Sequence, residues 1–325
     1  MTDLADFAAR LTALTDGRAS APRIRDGVMT LSLDVAGLSP QQREGLTAAI
    51  REGGLTVNDV REVRIVETAE RQSAPRPPRI LAVASGKGGV GKSTLSANLA
   101  VALHRLGVKV GLVDADIYGP SQAKLMGSED SKPTAQDKKL NPVTGTLGIP
   151  MLSMAHLVEP GKALAWRGPM VGNALTQLIE AAWGDTDLLV VDMPPGTGDI
   201  QLTMVQKHKP AGALIVSTPQ DLALIDAARA VSLFAQAGVP MVGLVENMSG
   251  YACPHCGEIS DPFGQGGAER EAQALAMPFL GRIPLAIDIR RRSDAGDPPA
   301  AGEGVHADAF MSVARKVADW LKAAG

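Results

Sequence analysis

Six short apolar runs mark the chain from residue 80 onward, and their hydrophobic positions do not alternate with polar ones. They are ILAVAS (80–85), VKVGLVDAD (108–116), DLLVVD (187–192), GALIVS (212–217), PMVGLVEN (240–247) and PFLGRIP (278–284). Helical patterns lie between them, for example over 93–106, 222–237 and 307–322. Runs of this kind are typical of parallel strands that are covered on both faces. The pattern predicts a doubly wound, mostly parallel α/β domain over residues 80–325.

Residues 1–68 follow a different pattern. Near the N-terminus, apolar residues are spaced three and four positions apart, which predicts a helix. A second helical pattern covers 41–51. Alternating apolar and polar positions over 28–35 and 60–66 predict strands. The pattern predicts a small α+β unit. The next segment, 69–79, is polar and contains three prolines, so it is interpreted as a linker between two domains.

The composition supports an aliphatic α/β core. Of the 325 residues, 45% are hydrophobic but only 3% are aromatic, whereas glycine and proline number 35 and 22. An aromatic-rich β-sandwich is therefore disfavoured. The net charge of −3, from 32 basic and 35 acidic residues, provides no general attraction for nucleic acid or an acidic membrane, so we expect neither as a partner.

No segment predicts a membrane span or an export signal. The uncharged run over 140–158 is interrupted by prolines and glycines, and the N-terminus is acidic where a signal peptide is basic. Only two cysteines occur, which excludes a disulfide framework and is consistent with a reducing compartment. We therefore expect a cytoplasmic protein.

A glycine-rich segment, GKGGVGKST, joins the first apolar run to a helical pattern and matches the phosphate-binding pattern G-x-x-x-x-G-K-[ST]. The residues predicted to bind a nucleotide here are Gly86, Lys87, Gly88, Gly89, Val90, Gly91, Lys92, Ser93 and Thr94. Backbone N–H groups of such a loop surround the phosphates, Lys92 neutralises their charge, and Ser93 can bind Mg²⁺. The alternative is a glycine-rich turn without a ligand, which explains neither the flanking strand and helix nor the Lys-Ser pair.

Carboxylates stand at the ends of two predicted strands. Asp114 and Asp116 close the second apolar run, and Asp192 closes the third. Because the carboxyl ends of parallel strands meet at the ligand crevice, Asp192 is predicted to bind Mg²⁺ through water. Gly196, in the loop that follows, is expected to contact the γ-phosphate through its N–H group. The alternative for Asp114 and Asp116 is a turn or helix cap.

The two cysteines form a Cys-Pro-His-Cys motif at Cys253 and Cys256. Two thiolates are half of a tetrahedral sulfur site, and the chain has no other cysteine to complete one. The shortage suggests a site shared by two chains, which holds a [4Fe–4S] cluster or a structural zinc ion. A redox dithiol is one alternative, although that motif usually opens a helix, whereas a segment with glycines and a proline follows here. The other alternative is a pair of cysteines without a function. His255 is expected to be exposed rather than a ligand.

The motifs GKGGVGKSTLSANLAVAL, VDADIYGPS, DMPPGTGD, ENMSGYACPHCGE and GRIPL occur in this order. With them, the chain from residue 80 to the end resembles the Mrp/ApbC family of iron–sulfur cluster carriers, which belongs to the P-loop ATPases with a deviant Walker A motif. The resemblance implies a cytoplasmic homodimer that binds ATP and Mg²⁺. It also implies a labile cluster, held at the paired C-x-x-C motifs and delivered to apo iron–sulfur proteins.

The same resemblance implies roles for individual residues. Lys87 reaches the nucleotide of the partner subunit, Asp116 positions the attacking water, and Asp114 lies near the water shell of Mg²⁺. The residues implied on the adenine side are Asn247, Pro284 and Asp288. The amide of Asn247 can offer both a donor and an acceptor to a purine edge, with an Asx-turn as the alternative. Hydrolysis is expected to be slow, because no arginine finger is identifiable.

Two other functions compete with the carrier interpretation. A positioning ATPase on a membrane or nucleoid would carry an amphipathic basic helix at its end, and an apolar stripe beside basic residues does occur over 310–321. Such a stripe is usually a packed helix, and a positioning ATPase has no use for the cysteine motif. Electron transfer by a nitrogenase-reductase-like protein needs further cysteines.

The N-terminal unit departs from the family pattern, because residues 1–68 contain no cysteine, so a docking or structural role is expected for it.

Overall fold

The computed structural model describes residues 3–68, 77–157 and 169–323. They form two compact units, which divide between residues 76 and 77. Most of the segment interpreted as a linker, 69–76, lies outside the described residues. No helix in the described parts of the chain is long and apolar enough to cross a membrane.

The first unit contains two helices and a three-stranded sheet. Its elements are α1 (Leu4–Thr15), β1 (Arg23–Arg25), β2 (Val28–Asp34), α2 (Pro40–Leu55) and β3 (Glu62–Thr68). The central strand β2 pairs antiparallel with β1 and parallel with β3. Phe7, Leu11 and Ile50 pack from the helices against the inward positions of β2. Both predicted helices and both predicted strands are present, while the short β1 is an addition to the predicted set.

The second unit is built on a nine-stranded sheet and a separate two-stranded ribbon. Its strands are β4 (Arg79–Ala84), β5 (Val110–Asp114), β6 (Thr134–Gln136), β7 (Lys139–Asn141), β8 (Val143–Thr144), β9 (Pro150–Ser153), β10 (Leu188–Asp192), β11 (Gly212–Ser217), β12 (Met241–Ala252), β13 (Ile259–Ser260) and β14 (Phe279–Leu285). Seven strands run parallel in the order β14-β12-β11-β4-β10-β5-β9. The short β13 and β8 pair antiparallel with β12 and β9. All six predicted strands lie in this sheet, so the predicted doubly wound α/β fold is confirmed.

Helices cover both faces of the large sheet. They are α3 (Lys92–Arg105), α4 (Gln122–Leu125), α5 (Met154–Leu157), α6 (Pro169–Ile179), α7 (Asp199–Thr203), α8 (Asp221–Gln236), α9 (Gly267–Ala274), α10 (Ile287–Asp294) and α11 (Val305–Ala323), with short turns of other helical types at Thr146–Gly148, Met204–His208 and Pro299–Ala301. One buried apolar cluster contains residues of α3 and α11, and a second contains residues of α6, α7, α8 and α9. Because both faces are covered, the strands need no polar face.

The last helix, α11, is part of the core. Its apolar stripe, Phe310, Ala314, Val317 and Leu321, is buried, and the helix packs against α3 and β14. These side chains are therefore not presented to a membrane. The packed-helix interpretation of the stripe is correct.

Candidate functional site

The glycine-rich loop between β4 and α3 is held from two sides. Gly91 has a φ of +79°, in the left-handed region that favours glycine, and Lys92 begins α3 directly after it. A side chain at Gly91 would collide with the amide of Asn247, which comes from β12. A side chain at Gly86 would collide with the backbone of Asp226 in α8. The loop therefore takes its shape from contacts that only glycine permits.

A buried ion pair joins this loop to the end of β10. The Lys92 ammonium lies 2.7 Å from Oδ1 of Asp192, and the two side chains are only 6% and 0% exposed. The Ser96 hydroxyl donates to the same carboxylate oxygen at 3.0 Å. Asp192 is therefore at the end of its strand, as predicted, and next to Lys92, the lysine predicted to bind phosphate. Such a pair tolerates loss of one partner poorly, because the other charge is then buried alone.

The second buried carboxylate, Asp114, ends β5 in register with Asp192 on the neighbouring strand. Its Oδ2 accepts hydrogen bonds from the backbone N–H groups of Ser121 and Gln122 at 2.9 and 3.0 Å, and from the Ser153 hydroxyl at 2.8 Å. Burial and the nearby Asp192 carboxylate raise the pKa of Asp114 to about 7. Asp114 thus organises the loop after β5, and a cation beside it would favour its ionised form.

Asp116 lies in that loop and is partly exposed. Its Oδ1 accepts hydrogen bonds from the backbone N–H groups of Tyr118 and Gly119 at 3.1 and 3.2 Å, and its own N–H donates to Asp114 at 3.1 Å. Both aspartates therefore make the turn-capping contacts of the alternative interpretation. Capping uses one oxygen of Asp116, so it does not conflict with the role in hydrolysis, which stays a prediction.

Gln122, a fully buried side chain at the start of α4, is not indicated by any motif of the sequence. Its Nε2 donates to the carbonyl oxygen of Ser93 and to Oδ2 of Asp192, both at 2.9 Å. Its Oε1 is buried and has no hydrogen-bond partner in the described parts of the chain. The nearest motif, the IYGPS run (117–121), ends at the residue before it. A glutamine is usually exposed, so nothing local marked this one.

These groups fit a divalent cation that prefers oxygen ligands. Asp114 and Asp192 place two buried carboxylates side by side, with the Lys92 ammonium paired to one of them. Two further groups lie beside these carboxylates. They are the buried Gln122 oxygen, which has no hydrogen-bond partner in the described residues, and the half-buried Ser93, which carries a hydroxyl group. Mg²⁺ is bound by such carboxylate and hydroxyl oxygens together with its own water molecules and nucleotide phosphates.

Asn247 contacts the loop rather than its own turn. Its Nδ2 donates to the carbonyl oxygen of Val90 at 2.8 Å, and the side chain is almost fully buried. The hydrogen bond is therefore a tertiary contact, not the local one of an Asx-turn. It connects β12 to the glycine-rich loop only a few residues before the cysteine motif.

The cysteine motif occupies the turn of a hairpin. β12 and β13 pair through Tyr251 with Ser260 and through Ala252 with Ile259, and the turn between them contains both thiols. The Cys253 N–H donates to the carbonyl oxygen of Glu258 at 2.9 Å, which closes the turn. Cys253 is half-buried, and Cys256 is exposed. The motif thus opens no helix, unlike the arrangement typical of a redox dithiol.

Backbone groups of the turn favour a thiolate at Cys253. The N–H groups of Cys256 and His255 donate to its sulfur, which lowers the pKa of the Cys253 thiol. The thiolate is the form that binds metals. Among residues 3–68, 77–157 and 169–323, no group of three or more histidine, cysteine or acidic side chains is placed to hold a metal ion. Within this part of the chain the hairpin offers two thiol ligands and no third.

The lowered pKa predicts a measurable pH dependence. In metal-free Cys256→Ala protein, the rate of Cys253 alkylation should rise with a midpoint at lower pH than in the same protein unfolded in urea, because the backbone donors act only in the fold. Iodoacetamide labelling followed by mass spectrometry across pH measures both midpoints. Equal midpoints in the folded and unfolded protein would contradict the hydrogen bonds to sulfur.

A cavity of about 460 Å³ lies beside the hairpin. Pro284 and Asp288, two of the three residues implied on the adenine side, line it together with Cys253. Its rim includes Ile259 and Val305, whose side chains are 70% and 74% exposed. The structure therefore places these two residues next to the cysteine motif, whereas Asn247 contacts the glycine-rich loop.

Comparisons with known proteins identify a family and several relatives that are similar to this chain. A model of the family described as NUBPL iron-transfer P-loop NTPase matches residues 77–318. An iron-sulfur cluster carrier protein of Deinococcus radiodurans is 46% identical over 278 residues, which cover 83% of this chain and 79% of the relative. A protein of the same name from Pseudomonas fragi is 50% identical over 226 residues, 69% of this chain and 79% of the relative.

A solved structure is also similar. It is a nucleotide-binding protein of Archaeoglobus fulgidus in complex with ADP, with cobalt found in it. It aligns with a TM-score of 0.62 and 39% identity over 69% of this chain and 89% of that chain. The residues matched by the family model include the glycine-rich loop, both strand-end carboxylates and the cysteine hairpin.

Proposed function

This chain belongs to the NUBPL iron-transfer P-loop NTPase family, and we propose that it is an ATP-dependent iron–sulfur cluster carrier of the cytoplasm. The resemblance derived from the sequence motifs is thereby confirmed at the level of the family. The observation that carries the proposal is the course of β12. This strand contacts the phosphate-binding loop through Asn247 and then leads directly into the hairpin with Cys253 and Cys256. Nucleotide and cysteine sites are thus joined by one short piece of backbone.

In this proposal the loop residues bind the phosphates of ATP. The N–H groups around Gly91 face the phosphates at the start of α3, and the Lys92 ammonium compensates their charge. Ser93, Asp114 and Asp192 hold Mg²⁺, which when bound stabilises the charge that develops on the phosphates. A cation beside Asp114 also favours its ionised form, which burial opposes.

Asp116 is assigned the orientation of the attacking water. Asp116→Asn keeps an oxygen for the Tyr118 and Gly119 N–H groups, so the loop should keep its shape, but the variant loses the negative charge. We expect kcat to fall about 10²- to 10⁴-fold, with ATP affinity close to that of the parent. A phosphate-release assay and a nucleotide titration measure the two quantities. Hydrolysis at the parental rate would remove Asp116 from the mechanism.

A homodimer completes the cluster site in this proposal. One chain supplies two thiolates where a [4Fe–4S] cluster takes about four, so two hairpins are brought together. Exposed apolar side chains near the phosphate-binding loop support contact with a second copy: Tyr118 is 83% exposed, and Leu222 and Ile225 of α8 are also exposed. No described residue pairs with the Lys87 ammonium, which is assigned to the partner's nucleotide.

The remaining assignments follow from the same scheme. Pro284 and Asp288 contribute to the adenine side, close to the cysteine hairpin whose cavity they share. The clients are apo iron–sulfur proteins. Residues 1–68, which contain no cysteine, have a docking or structural role, and 69–79 connect them to the ATPase domain, 80–325.

Anaerobic reconstitution with iron and sulfide tests the proposed function. The protein should acquire the optical absorption of a [4Fe–4S] cluster and then restore the activity of an apo iron–sulfur acceptor. Zinc without iron at the hairpin would assign a structural metal instead. Failure to bind or transfer a cluster would contradict the carrier function.

The positioning ATPase is the weaker candidate. Its expected membrane-binding feature, the stripe of α11, is buried against α3 and β14. The cysteine hairpin also has no place in that function.

A further inference from the structure

Gln122 connects three segments of the proposed nucleotide site through its backbone and its side chain. Its backbone N–H binds Asp114 at the end of β5, and its Nε2 binds both Asp192 at the end of β10 and the Ser93 carbonyl in α3. The donor–acceptor distances of these three hydrogen bonds are 3.0, 2.9 and 2.9 Å, and the side chain has no exposed surface. Gln122 is therefore fixed more firmly than a surface side chain of the same type.

The orientation of its amide follows from the partners. The Ser93 carbonyl and the Asp192 carboxylate only accept hydrogen bonds, so the NH₂ group has to face them. The reversed amide would place an oxygen against two other oxygens. Oε1 consequently points away from both partners.

This oxygen is the unusual part of the network. It is buried and lacks a donor in the described ranges, an arrangement that costs about 1–3 kcal/mol for a polar group of this kind. The other buried side-chain atom of this kind in the described chain, Oγ of Ser293, lies in α10. The groups that contact Gln122, namely the Ser93 carbonyl and the carboxylates of Asp114 and Asp192, are all acceptors and cannot satisfy it. A donor for Oε1 therefore has to come from a water molecule or a ligand.

We infer that Gln122 is a positioning residue for the nucleotide's Mg²⁺, and that Oε1 accepts a hydrogen bond from a water molecule of that ion. This inference rests on the ATP- and Mg²⁺-binding part of the proposed function, but not on the cluster. The NH₂ group holds Asp192 and the first turn of α3 in place. The oxygen then recognises the hydrated ion, whose coordinated water is a strong donor. An amide suits both tasks, because it donates on one side and accepts on the other.

Replacement by methionine tests the inference, because Gln122→Met keeps the length of the side chain and removes both polar groups. The Mg²⁺ concentration for half-maximal tightening of ADP binding should rise about 10- to 100-fold, as is typical when a partner of metal-bound groups is lost. ADP affinity measured in EDTA should stay at the parental value. Calorimetric titrations of full-length protein with ADP, at stepped Mg²⁺ concentrations, give both numbers without relying on turnover.

Asn98→Leu is the matched control. This buried amide of α3 donates to the Thr94 carbonyl and accepts from the Ala300 N–H, so its loss also removes two hydrogen bonds, but none of them involves a carboxylate of the site. It should lower the melting temperature without changing the Mg²⁺ requirement. An unchanged Mg²⁺ requirement in Gln122→Met, or an equal rise in both variants, would overturn the inference.

A second substitution covers the case in which Gln122→Met does not fold. Gln122→Asn keeps an amide but shortens the side chain by one methylene group, so its oxygen cannot reach the position of Oε1. Its Mg²⁺ requirement should rise about tenfold or more, and a parental requirement would overturn the inference. If ADP binding by the parent protein does not depend on Mg²⁺ at all, the proposed metal site fails, and this inference fails with it. Parental Mg²⁺ dependence with unaffected Gln122 variants would refute the inference alone.

Discussion

Lys92→Ala should abolish nucleotide binding and also destabilise the second unit. The ammonium is the cation that the loop offers to phosphates, so its loss removes the main charge compensation. In the fold it also pairs with Asp192 at 2.7 Å, where both groups are buried. Removal of one partner of a buried ion pair costs about 3–5 kcal/mol, because the remaining charge is uncompensated. The free energy of unfolding in denaturant should therefore fall by about that amount.

The double variant Lys92→Ala/Asp192→Asn separates the two effects. The neutral amide can present its oxygen to Gln122 and its NH₂ group to Ser96, so most of the lost stability should return. Nucleotide binding should not return. Lys87→Ala is the control for charge alone, because no described residue pairs with its ammonium, and its unfolding free energy should match the parent. Parental ADP affinity or parental stability in Lys92→Ala would contradict the assignment of this pair.

Cys253→Ala and Cys256→Ala should each abolish cluster reconstitution. The chain contains no further cysteine, and each substitution leaves a pair of chains with two thiolates in place of about four. Nucleotide binding should be retained, because the hydrogen bond to the glycine-rich loop comes from Asn247, in the strand that precedes the turn, and not from either cysteine. Anaerobic reconstitution, monitored by absorption and by iron and sulfide content, measures the loss, and an ADP titration measures the retention.

His255→Ala is the control within the same turn. Its backbone N–H still donates to Cys253, so the variant should keep the thiolate-stabilising geometry and bind a cluster as the parent does. A double cysteine variant that still holds and transfers a cluster would contradict the carrier site. Loss of the cluster in His255→Ala would instead add a third ligand to it.

The strands of the large sheet were predictable from local pattern wherever an apolar run is buried on both faces. β9 was missed for a physical reason. It begins at Pro150, has four residues and lies in a segment with glycines, and it becomes a strand because β5 offers an edge for Met151 and Leu152. Its burial depends on a tertiary partner that a local pattern does not reveal.

The candidate site shows the same division between features that a local pattern predicts and contacts that depend on the tertiary structure. The glycine-rich loop, the strand-end aspartates and the cysteine spacing are local motifs, so all of them are visible in the sequence. The contact between Lys92 and Asp192 spans 100 residues, and the contacts of Gln122 span 29 and 70, so only the fold brings them together. The hairpin around the cysteines depends on β13, which at two residues is too short for a pattern to predict.

The most direct measurement of the central claim is the amount of cluster per chain in the reconstituted protein. Native mass spectrometry under anaerobic conditions, combined with iron and sulfide analysis, gives the mass of the species that carries the cluster. Two hairpins of two thiolates predict one [4Fe–4S] cluster on a dimer, or about two iron atoms per chain, and none on the monomer. A cluster on a single chain, or one cluster for every chain of a dimer, would contradict the shared site.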